Sequence, residues 1–167
     1  KVEDAREVEV RAARRRLYAL LGQCTVGRPA VAFAPVSNIS GDQRLELLWS
    51  ADHPDQSVRE LNGRTLAVIA RVMRDYSSTT LHIHAEVGFS GAALPGGLSE
   101  ALGQPADAAE EDVLDALALA RARACSTKLV ESGIEVERLM ITSAVNVTGD
   151  HVTIDARSMD TYCAHPK

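Results

Sequence analysis

Leu117-Ala118-Leu119-Ala120-Arg121-Ala122-Arg123-Ala124-Cys125, continued through Leu129 and closed by Gly133-Ile134, is the stretch on which the reading of this chain turns. At about 3.6 residues per turn it is a helix, and Arg121 falls within the apolar stripe of Leu114, Leu117, Ala118 and Cys125. A guanidinium on a buried face must find an anion or an acceptor, because an unpaired buried charge is costly. Arg121 is therefore the leading candidate for a functional group, and an internal salt bridge to a carboxylate such as Asp112 is its structural alternative. Two strand-like runs follow, Leu139-Met140-Ile141-Thr142-Ser143-Ala144-Val145 and His151-Val152-Thr153-Ile154-Asp155-Ala156. Thr148-Gly149-Asp150 between them is tight-turn chemistry and predicts a hairpin.

Working back from the helix, Asp107 with Glu110 three residues on predicts its N-terminal cap. The acidic run Glu110-Glu111-Asp112 suits a first helical turn through the helix dipole. Residues 88–105 are rich in Gly and Pro and read as a long loop, a class of segment that is usually functional or mobile. Before it, Leu81, Ile83, Ala85 and Val87 alternate with His82, His84 and Glu86, the signature of a half-buried strand. Ser57 with Glu60 forms a capping box for a helix to about Tyr76, with Leu61, Val68, Ile69, Val72, Met73 and Tyr76 as its core face. Leu45-Glu46-Leu47-Leu48-Trp49 predicts a strand inside an irregular stretch, and Ala30-Val31-Ala32-Phe33 another. Residues 3–22 form a first helix on Val10, Ala13, Leu17, Leu20 and Leu21, with Arg14, Arg15 and Arg16 as a solvated face or a docking surface. The main order is helix, strand, helix, strand, helix, strand, strand. It predicts an α/β fold with a mixed sheet and its helices on one face.

At 167 residues, 46% hydrophobic and 25% charged, the chain suits one domain with a sizeable core. A net charge of −5 argues against a nucleic-acid partner. No apolar run approaches the roughly 20 residues that span a bilayer, so any membrane tether would lie before Lys1. Cys24, Cys125 and Cys163 lack metal-type spacing; Cys125 reads as buried filler, and a Cys24–Cys163 disulfide stays open. Leu20-Leu21-Gly22-Gln23-Cys24 is rejected as a lipid-attachment site because Gln23 is not small.

His82, His84 and Glu86 on one strand face could supply metal ligands, but no second cluster matches them, and an ordinary polar sheet face accounts for them. Gly88-x-x-Gly91 lacks the Lys-Ser/Thr and the following helix of a phosphate loop. No Gly-x-Ser-x-Gly is present, and no Cys has a convincing His and acid partner. No cofactor is expected.

The stretch from Leu117 to Cys125, then Leu129-Val130-Glu131-Ser132-Gly133-Ile134 and Arg138-Leu139, resembles the second helix of the OmpA-like family, which includes the OmpA C-terminal domain, MotB and peptidoglycan-associated lipoprotein. That helix reads Leu-Ser-x-x-Arg-Ala-x-Ala-Val, three residues, Leu, three residues, Gly-Ile. The run from Leu66 to Tyr76, leading into Leu81-His82-Ile83, resembles the family's first helix and second strand, and Asp150-His151-Val152-Thr153-Ile154 its last strand. The resemblance covers roughly residues 30–157. It implies a βαβαββ two-layer sandwich that grips the diaminopimelate stem of peptidoglycan with an Asp and an Arg, without catalysis. Arg121 falls on the family's Arg. The family's Gly-His-Thr-Asp is replaced by Ala85-Glu86-Val87-Gly88, so Gly88 stands where the Asp would be, and Glu86 is the candidate substitute. The Asn-Arg of the last strand is Gly149-Asp150, and about twice the usual number of residues separates Gly88 from Arg121.

These readings divide the chain into an N-terminal helical extension (1–27), an OmpA-like domain (28–157) and a C-terminal tail (158–167). The expected function is a non-enzymatic binding or anchoring domain of the bacterial periplasm or cell envelope. Its peptidoglycan-type groove is degenerate and turned to protein interaction or scaffolding, with a homodimer through the N-terminal helix as one form. The alternatives are genuine peptidoglycan binding through Arg121, an intracellular role in a eukaryotic relative and, remotely, a metal-dependent enzyme using His82 and His84.

Overall fold

The computed structural model describes residues 4–21, 29–36, 45–88, 94–145 and 151–158. Helix α1 (Ala5–Leu21) leads into strand β1 (Pro29–Ala32), a 3-10 turn at Leu45–Leu48 and helix α2 (Gln56–Asp75). Strand β2 (Thr79–Val87), the one-turn helix α3 (Leu98–Ala101) and helix α4 (Glu110–Glu131) follow, then a 3-10 turn at Val136–Arg138 and strands β3 (Leu139–Val145) and β4 (His151–Ser158). From β1 onward the longer elements run β, α, β, α, β, β, the order the sequence predicts. The result is an α/β structure built on one four-stranded mixed sheet, ordered β1-β4-β2-β3.

That order corrects the expected hairpin. β3 pairs in parallel with β2, while β4 pairs antiparallel with β2 on its other side, so β2 separates the two. The parallel pair is the product of an α-helical crossover, here through α4. The turn residues 148–150, with the Gly149-Asp150 replacement, lie outside the described residues, as do Gly91, Cys24, Cys163 and the tail beyond Ser158.

β2 shows why the sheet is two-faced. Leu81, Ile83, Ala85 and Val87 are buried, and His82, His84 and Glu86 are half-exposed, as their alternation demands. β4 contributes Val152, Ile154 and Ala156 to the same core as Leu114, Leu117, Ala118, Cys125 and Leu129 of α4 and Ile69, Val72 and Met73 of α2. α1 belongs to that core through Ala13 and Leu17, both without exposed surface. Leu20, expected inward, is half-exposed.

Several local expectations are corrected. Leu45–Leu48 is a 3-10 turn, not a strand: Leu48 turns inward as an anchor, and among the described residues no strand pairs with it. α2 is capped by Asp55 in place of Ser57: its Oδ1 accepts from the backbone N–H of Ser57 at 2.9 Å and of Val58 at 3.4 Å. A carboxylate two residues upstream outcompetes a hydroxyl for the orphan donors of the first turn. Leu61 is exposed, and Asn62, Thr65 and Leu66 take the inner face. α4 has Ala109 at its cap without a side-chain bond, so Asp107 lies beyond reach and Glu110, Glu111 and Asp112 act on the dipole. Its other end closes as expected. Gly133 adopts φ 95°, its N–H donates to the Val130 carbonyl at 2.9 Å, and that of Ile134 to Leu129 at 3.1 Å, a Schellman ending.

Candidate functional site

Arg121 sits midway along α4 on its buried side and has no exposed surface. Its Nε donates to the Leu48 carbonyl at 2.6 Å and its Nη2 to the Ala34 carbonyl at 2.7 Å. The guanidinium carbon lies 5.2 Å from the centre of the Phe33 ring, within cation–π range. The fork therefore joins α4 to two irregular segments, the exit of β1 and the 3-10 turn, whose inward carbonyls join no ladder among the described residues. Asp112, the carboxylate considered for an internal salt bridge, is exposed in the first turn of α4. The expectation placed the guanidinium at the mouth of a groove; it is enclosed, with two of its donors directed at main-chain acceptors.

Glu86 lies on the opposite side of the sheet. Ala85 and Val87 face the helices, so Glu86 shares the half-exposed face with His82 and His84. Arg121 and Glu86 are not brought together. Gly88 follows β2 directly and is half-buried. On the half-exposed face Thr142 of β3 stands between the two imidazoles: Oγ1 is 2.8 Å from His82 Nε2 and 2.7 Å from His84 Nδ1. His84 Nε2 is 3.3 Å from Glu86 Oε1. A hydroxyl has one proton to donate and two lone pairs, so it accepts from one imidazole and donates to the other while both are neutral. Among the described residues no group of three or more His, Cys, Asp or Glu side chains is placed to hold a metal ion.

A second arginine, quoted above only for its place in the resemblance, is buried as well. Arg138 ends the turn before β3 and donates from Nε to Thr79 O at 3.0 Å and from Nη2 to the Met73 and Tyr76 carbonyls, both at 2.8 Å. These include carbonyls that the end of α2 leaves without helical donors. Nη1 reaches Glu135 Oε2 at 3.3 Å. Glu135 is held below the ordinary carboxylate range by its own backbone N–H first and by Arg138 next. Its sequence signal was an arginine that follows Glu135 and Glu137 and directly precedes an apolar run.

Asn62 was missed as well. Its side-chain amide accepts from the Ala32 N–H at 3.0 Å and donates to the Ala32 carbonyl at 2.9 Å, standing in for a further strand beside β1. Arg14, read as part of a solvated block, donates from Nε to the Ala156 carbonyl at 2.8 Å. Cys125 is the buried filler expected, and burial pushes its thiol up to about 12, which suppresses the thiolate. No helix among the described residues is long and apolar enough to cross a membrane.

No protein-family model matches this chain, and no curated protein matches it. Among solved structures it is similar to the OmpA-like domain of FopA1 from Francisella tularensis subsp. tularensis SCHU S4, at 10% identity and a TM-score of 0.45. The match covers 60% of this chain and 64% of that one, so it spans less than two thirds of the neighbour's length.

Proposed function

We propose that this is a non-enzymatic binding or scaffolding domain of the cell envelope, one that works through its outer surfaces and not through an arginine-lined groove. The observation that carries this reading is the enclosure of Arg121, whose Nε and Nη2 serve the Leu48 and Ala34 carbonyls. A fork held in this way has exchanged ligand recognition for structure. The missing acid at Gly88 points the same way, since a zwitterionic stem ligand needs both charges. Placement in the envelope draws its support from the sequence resemblance over residues 30–157.

Sedimentation with purified peptidoglycan tests the reading. The parent protein is expected to stay in the supernatant at concentrations that pellet a wall-binding control. Co-sedimentation of the parent, abolished by Arg121→Ala in a variant with an unchanged circular dichroism spectrum, would overturn it.

A further inference from the structure

A sheet of four strands has two edges, and this chain treats them differently. The β1 edge is short, begins with Pro29 and breaks register between Pro29 and Val31. Asn62 pairs with both backbone groups of Ala32 there. β1 reaches β4 only as far as Thr153, and beyond it Arg14 takes the Ala156 carbonyl. Short length, proline, a register break and side-chain cover are the devices by which proteins blunt sheet edges.

Among the described residues the β3 edge carries none of them. All seven residues from Leu139 to Val145 keep unbroken register with β2. The strand contains no charged residue and no proline, and every position after Leu139 is half-exposed. In a parallel pair alternate residues bond inward and the others turn N–H and C=O outward. Among the described residues no strand lies beyond β3 to receive them.

We propose that β3 is a dimer edge, which pairs antiparallel with β3 of a second copy about a two-fold axis at Thr142 and joins the two sheets into one. Two-fold symmetry brings the same edge of each copy together, and two such strands meet antiparallel. In this register Leu139 faces Val145 of the second copy, Met140 faces Ala144, Ile141 faces Ser143, and Thr142 faces itself. Each unlike pair sets a larger side chain against a smaller one, and no like charges oppose. Ile141 and Val145, which pack only partly covered against the core, gain cover on the helix side.

Helix α4 lies above the strand. Ser143 Oγ donates to Asp115 Oδ1 at 2.9 Å, which fixes the level of α4 over β3. Since α4 runs opposite to β3, the axis at Thr142 falls close to Leu117, about two residues on. This dimer is independent of the wall-binding question: failure of either leaves the other standing.

Analytical ultracentrifugation of the full chain, with Ala144→Lys and the double variant Ala144→Lys/Met140→Glu, provides the test. The parent is expected at twice 17.9 kDa and Ala144→Lys at 17.9 kDa. The double variant is expected back at the doubled mass, because the introduced lysine of one copy faces the introduced glutamate of the other. Within one strand these positions are about 13 Å apart, too far to compensate each other. A parent that stays monomeric at every concentration overturns the proposal, as does a dimer indifferent to Ala144→Lys or a double variant that stays monomeric. Hydrogen exchange of the parent gives a reading that needs no variant. Amides of residues 140–145 are expected to slow as concentration rises, and rates independent of concentration would count against the pairing.

Discussion

Replacing Arg121 by methionine separates a structural clamp from a ligand fork. The substitution keeps most of the side-chain volume and removes the donors to the Leu48 and Ala34 carbonyls. Each buried carbonyl left without a donor costs about 1–3 kcal/mol, and loss of the cation–π contact with Phe33 adds up to about 2. Against this, the variant no longer desolvates a charge, which returns several kcal/mol in typical buried pairs. When both members of such a pair are replaced by apolar groups the exchange is often neutral. Here the Leu48 and Ala34 acceptors are main-chain carbonyls and stay behind, so the balance falls at about 2–4 kcal/mol destabilising. Arg121→Ala leaves a void as well and falls about 2 kcal/mol lower. With a urea dependence of about 2 kcal/mol per molar, Arg121→Met moves the midpoint down by about 1–2 M at unchanged slope. Urea titration followed by circular dichroism reads this directly. A midpoint at or above the parent's would refute the reasoning. It would mark Arg121 as a residue retained at a cost to stability, as binding residues commonly are.

Arg138→Ala strips the carbonyls of Met73, Tyr76 and Thr79 of a donor and is expected to cost about 2–4 kcal/mol by the same titration; a loss below about 0.5 kcal/mol would remove it from the frame. Asp55→Ala removes the cap of α2. The Ser57 hydroxyl first, then the Val58 and Ser57 N–H groups, hold this carboxyl below its ordinary value of 3.8. A depressed folded pKa gives stability that is present above the unfolded value and lost as pH falls through the folded one. Parent and variant melting temperatures should therefore differ at neutral pH and converge below about pH 4; a gap unchanged into strong acid would contradict the cap. Cys125, its thiol near 12, should remain unlabelled by iodoacetamide at pH 8 in the native protein and label fully in urea, as peptide mass spectrometry can establish. Labelling of the native protein would mean that its pocket opens.

What the sequence revealed follows how local the cause was. The period-two pattern of β2, the Gly133 ending and the stripe of α4 are written in neighbouring residues, and each could be read before any coordinates. The same stripe located Arg121 as buried without naming its partners, because Ala34 and Leu48 lie 87 and 73 residues away. The tight-turn residues 148–150 suggested a hairpin. Strand adjacency depends instead on which neighbour β2 accepts on each side, a non-local choice. Leu45–Leu48 carries apolar residues that suit a strand, but an apolar run of that length serves equally as one buried turn. The assignment of Ser57 as cap failed to a stronger competitor two positions upstream. Asn62 was the most legible of the missed residues: an amide one turn before Leu66 on a buried face must bond something.

Arg14, Asn62, Arg121 and Arg138 share a task. Each supplies side-chain hydrogen bonds where the backbone runs out of its own: beyond the end of β1, along the outside of β1, under an irregular crossover and at the end of α2. An arginine reaches such carbonyls better than most side chains because its planar fork presents several donors and never loses its charge. In this chain, then, a buried arginine is weak evidence for an acidic ligand, since main-chain carbonyls accept from Nε and Nη2 in both examples. The same comparison strengthens the case for β3. A protein that sets side chains against stray backbone groups at four other places has left the outward groups of its longest straight edge without a cover of this kind among the described residues. The simplest cover for a row of alternating donors and acceptors is another strand, and an uncharged, self-matching sequence makes a second copy of this chain the natural source.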